Sequence, residues 1–188
     1  MKLIEKKISR EDIFSGRVFN IHVDTIRLPN DAISTREVVE HHGGVSILAL
    51  DDDDNIMMVR QFRYGADDIF LEIPAGKLEF GEDPAQCGIR ELREETGMNA
   101  AEYKFLAKMY PTPAYCSECI HIYLARGLTP AAGGQNLDDG EFLQVERVPF
   151  AEALRMCMNG EITDAKTLVA IFKYANFARS AKFEKEGL

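Results

Sequence analysis

The chain has 188 residues, 46% hydrophobic and 28% charged, with 31 acidic against 22 basic side chains and a net charge of −9. That length and composition suit one globular domain with a small extra lobe, and the acidic balance argues against nonspecific binding to nucleic acid or anionic membrane, which needs basic surface. No stretch approaches the roughly 18 apolar residues of a membrane span, MKLIEKKISREDIFSG carries no apolar signal segment, and four irregularly spaced cysteines make no disulfide framework, so a cytoplasmic protein without a membrane partner is expected.

Alternating or β-rich runs predict strands over 2–8, 18–28, 34–41, 45–50 and 56–63. LPND at 28–31 and DDDDN at 51–55 are turn signals. The acids of the second read as a solvated hairpin loop, because the ligand spacing and glycine of a calcium loop are missing. FLEIPAG gives a short strand ending at Pro74, and a helix over 84–96 follows. Strands are expected at 103–110, 120–125 and 142–148, a helix near 150–158, and a last helix capped by Asp164 with Leu168, Ile171, Phe172, Tyr174 and Ala175 on one stripe. Cys116-x-x-Cys119 beside His121 is half a zinc pattern with no second half, and reads as structural. This order predicts an α/β fold, a mixed sheet with helices on its faces. An all-β N-terminal domain over 1–42 would precede the main domain over 43–188.

GKLEFGEDPAQCGIRELREETGM, residues 76–98, raises a physical question. Asp83-Pro84 reads as N-cap and first helical residue, and Gly97 as the residue that stops the helix. Glu91, Glu94 and Glu95 then crowd the C-terminal turns, where the helix dipole already disfavours negative charge, and Glu91 and Glu95 repel at i,i+4 spacing. Something positive must lie nearby. The three acids fall on one side of the helix, and a carboxylate set without cysteine or histidine suits a hard divalent cation, Mg²⁺ or Mn²⁺. Glu82, in the helix-entry loop, is placed to join them. Metal-assisted hydrolysis is a chemistry such a set can serve.

Gly76, Glu82, Arg90-Glu91-Leu92, Glu94-Glu95 and Gly97-Met98 match at every position the signature of the Nudix hydrolases, which cleave nucleoside diphosphates linked to another group. The resemblance implies the Nudix α/β/α sandwich. It makes Glu91, Glu95, Glu94 and the carbonyl of Ala75 metal ligands, with Arg90 holding a glutamate in place beside them. Gly76 and Gly97 serve backbone geometry.

The flanks REVVEHHGGVSILAL, MMVRQFRYG, LEIPAGKLE and YPTPAYCSECIHIYLARGL resemble the ADP-ribose pyrophosphatase branch, as does Pro113 sixteen residues after Gly97. That resemblance implies Mg²⁺-dependent hydrolysis of ADP-ribose to AMP and ribose 5-phosphate by a homodimer with exchanged N-terminal strands. Arg63 would contact the substrate phosphates, Arg36 and Glu37 would reach the substrate of the partner subunit, and Phe19 or Val18 would line the adenine site. Glu118 would face the terminal ribose or the metals. NLDDGEF matches the acidic loop that supplies the general base, here Glu141 or the shorter Asp139. Taken singly, Phe19 reads as a core aromatic and Arg36 or Arg63 as a strand-edge charge; the framing pattern gives them their roles. TPA stands where the branch has SPG, so Ala114 replaces a glycine beside Pro113 and is expected to reshape the pocket around the second ribose. The rivals are hydrolysis of another nucleoside diphosphate sugar, such as GDP-mannose or ADP-glucose, and a module that binds ADP-ribose without cleaving it.

Overall fold

The computed structural model describes residues 3–186, with side chains as far as Phe177. The chain divides into two compact units, Met1–Gly43 with Tyr110–Cys119 and Gly44–Met109 with Ile120–Leu188.

In the first unit β1 (Lys6–Ser15), β2 (Asn20–Arg27) and β3 (Ile33–Glu40) form an antiparallel meander. β1 begins and ends later than the expected 2–8, whose Lys2 lies outside the described residues. Register breaks at Lys7/Ser9 and Asp12/Phe14 explain the difference, because each bulge shifts which side chains share a face and erases the period-2 signal. The segment 110–119 is stitched to β3: Tyr115 O accepts from Val39 N–H at 2.8 Å, and Ser117 N–H donates to Val39 O at 2.9 Å. Ser117 Oγ accepts from His41 N–H at 2.9 Å and donates to His41 O at 3.1 Å.

The second unit carries two sheets. β10 (Leu143–Pro149), β5 (Asn55–Arg63) and β6 (Asp68–Glu72) make an antiparallel one. β7 (Ala75–Lys77), β4 (Gly44–Ala49), β9 (Ile120–Pro130) and β8 (Met98–Met109) make a mixed one, with β4 and β9 parallel. β4 is buried along its whole length because both faces are covered. Its Leu48 and the following Leu50 pack with Ala153 and Cys157 of α2 (Phe150–Met158) and Ala170 and Ile171 of α3 (Ala165–Glu186). Its Ile47 and Ala49 face the other way, onto Leu92 of α1 (Pro84–Thr96). Each large apolar side chain so covered contributes roughly 1.5–3 kcal/mol. The expected α3 stripe holds for Ile171, Leu168 and Tyr174, whereas Phe172 is exposed and buried Thr167 and Ala170 complete the inward face. The DDDDN segment is an exposed turn as expected, with Asp51 Oδ1 accepting from the N–H groups of Asp53 and Asn55 at 3.0 and 2.9 Å. It does not close a hairpin within one sheet: β4 and β5 belong to different sheets, and the segment is flanked by the isolated Leu50/Ile56 bridge.

Leu92 is the large apolar side chain by which α1 grips the sheet. Leu92→Ala is expected to lower unfolding free energy by about 2–5 kcal/mol, read from the urea midpoint, while Met158→Ala on exposed helix surface stays within about 0.5 kcal/mol.

Candidate active site

α1 starts where Asp83 Oδ1 accepts from the N–H groups of Ala85 and Gln86 at 3.0 and 3.1 Å, with Pro84 as the first helical residue. It stops at Gly97, whose left-handed φ of 68° closes an N–H bond to Arg93 O at 2.9 Å. A Cβ at Gly97 would also meet the backbone of Gly134 and Gln135 at 2.9 Å, so glycine both ends the helix and lets the 131–136 loop pass. That loop satisfies the helix's terminal carbonyls: Asn136 N–H donates to Glu94 O at 2.9 Å and Gln135 Nε2 to Glu95 O at 2.7 Å. Donors therefore stand where the crowded acids would otherwise face bare carbonyl oxygens.

Arg90 is the missing positive charge. Its Nη1 donates to Glu91 Oε1 at 2.8 Å and to Glu94 Oε2 at 3.0 Å, and its Nε and Nη2 reach Glu82 at 3.3 Å. Burial opposes the charge of Arg90, but these carboxylates outweigh it and keep the guanidinium protonated. Burial likewise works against ionisation of Glu82, yet the Glu79 N–H and Arg90 hold its carboxyl below the usual range. Glu91 lies directly over Gly76, where an added Cβ would sit 1.9 Å from its carboxyl carbon. Any side chain at position 76 would push the Glu91 carboxylate from this place. Burial pushes the Glu91 carboxyl up against the pull of Arg90, and the charges of Glu94 and Glu141 add to the rise.

Glu95 turns inward. It is 2% exposed, and its Oε2 accepts from Ala75 N–H at 3.0 Å. Burial pushes its carboxyl to about 8 against that hydrogen bond, with the charges of Glu141 and Glu91 adding and Arg63 opposing. Glu141 closes a turn through its N–H bond to Asp138 O at 3.0 Å and is half-buried, while Asp139 is exposed on the same turn. Of the two candidate bases, Glu141 is the one whose charge acts on Glu91 and Glu95.

Among the described residues no three metal-binding side chains converge as a ready cage; Arg90 draws Glu91 and Glu94 aside, and Glu95 points to the Ala75 amide. The donor set nevertheless fits a hard divalent cation. It is oxygen only, and its acids raise one another's proton affinity, a repulsion that a cation removes.

Arg63 sits at the end of β5 and gives a bidentate fork to Glu72, Nε to Oε1 at 2.8 Å and Nη2 to Oε2 at 2.7 Å. Glu72 is 1% exposed and also accepts from the ammonium of buried Lys166. Lys166 donates onward to Asp164 Oδ1 at 2.9 Å, and Asp164 Oδ2 caps α3 through Thr167 N–H at 2.9 Å. Burial raises the proton affinity of Glu72, but the two cations outweigh it and hold its carboxyl below the usual range. Sequence reading missed Glu72 and Lys166, although a lone acid at the end of the apolar strand FLE was a signal; it missed Gln135 and Asn136, which carry no pattern of their own.

The remaining expected residues lie in the first unit. Arg36 donates through Nε to Glu5 Oε2 at 3.0 Å and through Nη1 to Thr35 O at 2.9 Å. Glu37 on β3 is exposed, and Phe19 packs at 6.0 Å from the Phe14 ring. Pro113 and Ala114 form the exposed turn closed by Cys116 N–H on Thr112 O at 3.0 Å. Ala114 is not among the described non-glycine residues with positive φ, so alanine is accommodated there without backbone strain. Glu118 Oε1 lies 3.8 Å from His41 Nδ1, which accepts from Gly43 N–H at 2.9 Å.

Residues 40–169 match the family model for the NUDIX domain, and residues 5–39 match that of the nucleoside diphosphate sugar hydrolase N-terminal domain. The chain is 42% identical over 169 residues to an ADP-ribose pyrophosphatase of Bacillus subtilis, covering 90% of this chain and 91% of that protein. It is 41% identical over 167 residues to a methanol dehydrogenase activator of Bacillus methanolicus, covering 89% and 90%. A crystal structure of an ADP compounds hydrolase shares the fold with a TM-score of 0.81 at 23% identity, covering 94% of this chain and 95% of that one.

Because folding raises the Glu95 pKa, its ionisation weakens the fold increasingly above the unfolded value of about 4.3, and the penalty is complete above about 8. At about pH 9, metal-free Glu95→Gln is therefore expected to melt above the wild type in differential scanning calorimetry. Adding Mg²⁺ should raise the wild-type Tm by several degrees and a chelator should reverse it, while the variant should respond far less. A variant that melts lower and still responds to Mg²⁺ would contradict this account.

Proposed function

The chain belongs to the NUDIX domain family, and from that membership we propose that it hydrolyses the pyrophosphate bond of ADP-ribose, with Mg²⁺, to AMP and ribose 5-phosphate. The observation that carries the reading is Arg90 tying Glu82, Glu91 and Glu94 together on α1, beside a buried Glu95 held by the Ala75 N–H, with the charge of Glu141 acting on Glu91 and Glu95 and that of Arg63 on Glu95. Glu91, Glu94, Glu95 and the Ala75 carbonyl would hold the cation; Mn²⁺ has the same ligand preference. When bound, it neutralises the diphosphate and stabilises charge on the leaving phosphate. Glu141 takes a proton from the attacking water, whose oxygen bonds to one phosphorus as that phosphorus's bond to the bridging oxygen breaks, the bridging oxygen leaving with the other phosphate. Arg63, whose Nε and Nη2 are held by Glu72, presents Nη1 to a phosphate oxygen. Arg90 keeps Glu82, Glu91 and Glu94 in register.

Phe19, Arg36, Glu37, Pro113, Ala114 and Glu118 complete the substrate contacts in this proposal, Arg36 and Glu37 serving the partner subunit's substrate. A homodimer with exchanged N-terminal strands would cover Ile8, Ile13 and Phe14 of β1, which are more than half exposed. Four unbridged thiols, Cys87, Cys116, Cys119 and Cys157, suit a reducing compartment, and a cytoplasmic location belongs to the reading. A second reading, hydrolysis of another nucleoside diphosphate sugar, is favoured by the description of the N-terminal family match.

The test incubates the isolated chain with ADP-ribose, ADP-glucose and GDP-mannose, with and without Mg²⁺, and measures nucleoside monophosphate release. Metal-dependent AMP release from ADP-ribose above the others is the expected result. Preference for another sugar would move the reading to that substrate; binding without turnover would leave a binding module. Turnover by the chain alone also separates hydrolysis from action on a partner enzyme, which the name of the Bacillus methanolicus relative would suggest. Glu141→Gln is expected to lower kcat by about 10²–10⁴-fold and Asp139→Asn by less than about threefold; the reverse order would make Asp139 the base.

A further inference from the structure

We propose that Lys166 is a positioning residue for the diphosphate: with Glu72 it forms a fixed seat that aims the Arg63 guanidinium at the substrate. This inference rests on the reading of Arg63 as a phosphate contact. In the β5/β6 register the acid directly opposite Arg63 is Asp68, whereas Glu72 stands opposite Val59. Arg63 nevertheless passes over Asp68, whose Oδ1 accepts from Ile69 N–H at 2.7 Å, and reaches back along the strand to Glu72. The fork uses Nε and Nη2 and leaves Nη1 turned elsewhere, so the position of Glu72 decides where the free edge points.

Glu72 is held in turn by Lys166, and the placement of that lysine is costly. It is 9% exposed, in the first turn of α3, where the helix dipole disfavours a cation. An apolar residue would fill the same space without desolvating a charge. Asp164 offsets the cost by accepting from Lys166 and capping α3, and Thr167 Oγ accepts from Ile73 N–H at 3.0 Å. One helix end therefore grips both Glu72 and Ile73. Two residues further on, the Ala75 N–H holds Glu95. The strand end that seats Arg63 and the segment that anchors the metal-side carboxylate are pinned by the same turn of α3.

The experiment is a double-mutant cycle of Lys166→Met with Arg63→Ala, following steady-state hydrolysis of ADP-ribose with Mg²⁺, together with ¹⁵N NMR of the Arg63 Nε–H in protein without ligand. Lys166→Met is expected to raise KM by about tenfold or more with kcat within about threefold. Lys166→Arg should recover most of the loss. In the Arg63→Ala background Lys166→Met should change KM by less than about twofold, since a residue acting only through Arg63 has nothing left to act on. The Arg63 Nε–H signal, sharp and slow to exchange in the wild type, should shift and exchange faster in Lys166→Met. An equal KM rise with Arg63 absent, or an unchanged Nε–H signal, overturns the proposal. Glu72→Gln enters the same cycle if circular dichroism shows Lys166→Met unfolded. Should the wild type hydrolyse no diphosphate, the functional reading fails by itself, and the ligand-free signal still decides whether Lys166 seats Arg63.

Discussion

Like-charged carboxylates do not gather in a half-buried place unless the surroundings oppose their repulsion, and most of the second unit is organised around that requirement. Burial and mutual repulsion raise the proton affinity of Glu91 and Glu95. Against this stand Arg90, which ties Glu82, Glu91 and Glu94 together, and the Ala75 amide, which fixes Glu95. Two glycines give the close backbone approaches that the arrangement needs, one under Glu91 and one at the helix end. The protein thus holds an unfavourable charge set in place, one that a bound cation would relieve.

What the sequence made legible follows the range of each interaction. The limits of α1 depend on Asp83, Pro84 and Gly97, all local, and the structure places them where their chemistry predicts. β4 reads as a strand because a continuous apolar run has helices on both of its faces. β1 is illegible as a ten-residue strand because its bulges scramble the alternation. The seat of Arg63 is illegible for another reason: Glu72 and Lys166 are 94 positions apart, and nothing in either neighbourhood refers to the other.

The two departures from the branch pattern differ in kind. At position 114 an alanine replaces a glycine, yet the backbone there is one that alanine accepts without strain, so the change leaves the turn intact. In the acidic loop, Gly140 follows Asp139 and takes a φ of 84°, and the turn it allows brings the next residue, Glu141, back toward the carboxylates of α1.

The loop that carries Glu141 is fastened at its root. Gln135 and Asn136 are bonded to the final carbonyls of α1, so the helix that bears Glu91, Glu94 and Glu95 also bears the post of the loop. Between that post and Glu141 lie only residues 137–140. A segment this short acts as a tether, with an extended reach of about 3.3–3.6 Å per residue. Its length works as a ruler: one residue more or fewer would change where the carboxylate arrives by about the width of a water molecule, with every atom of the helix unmoved.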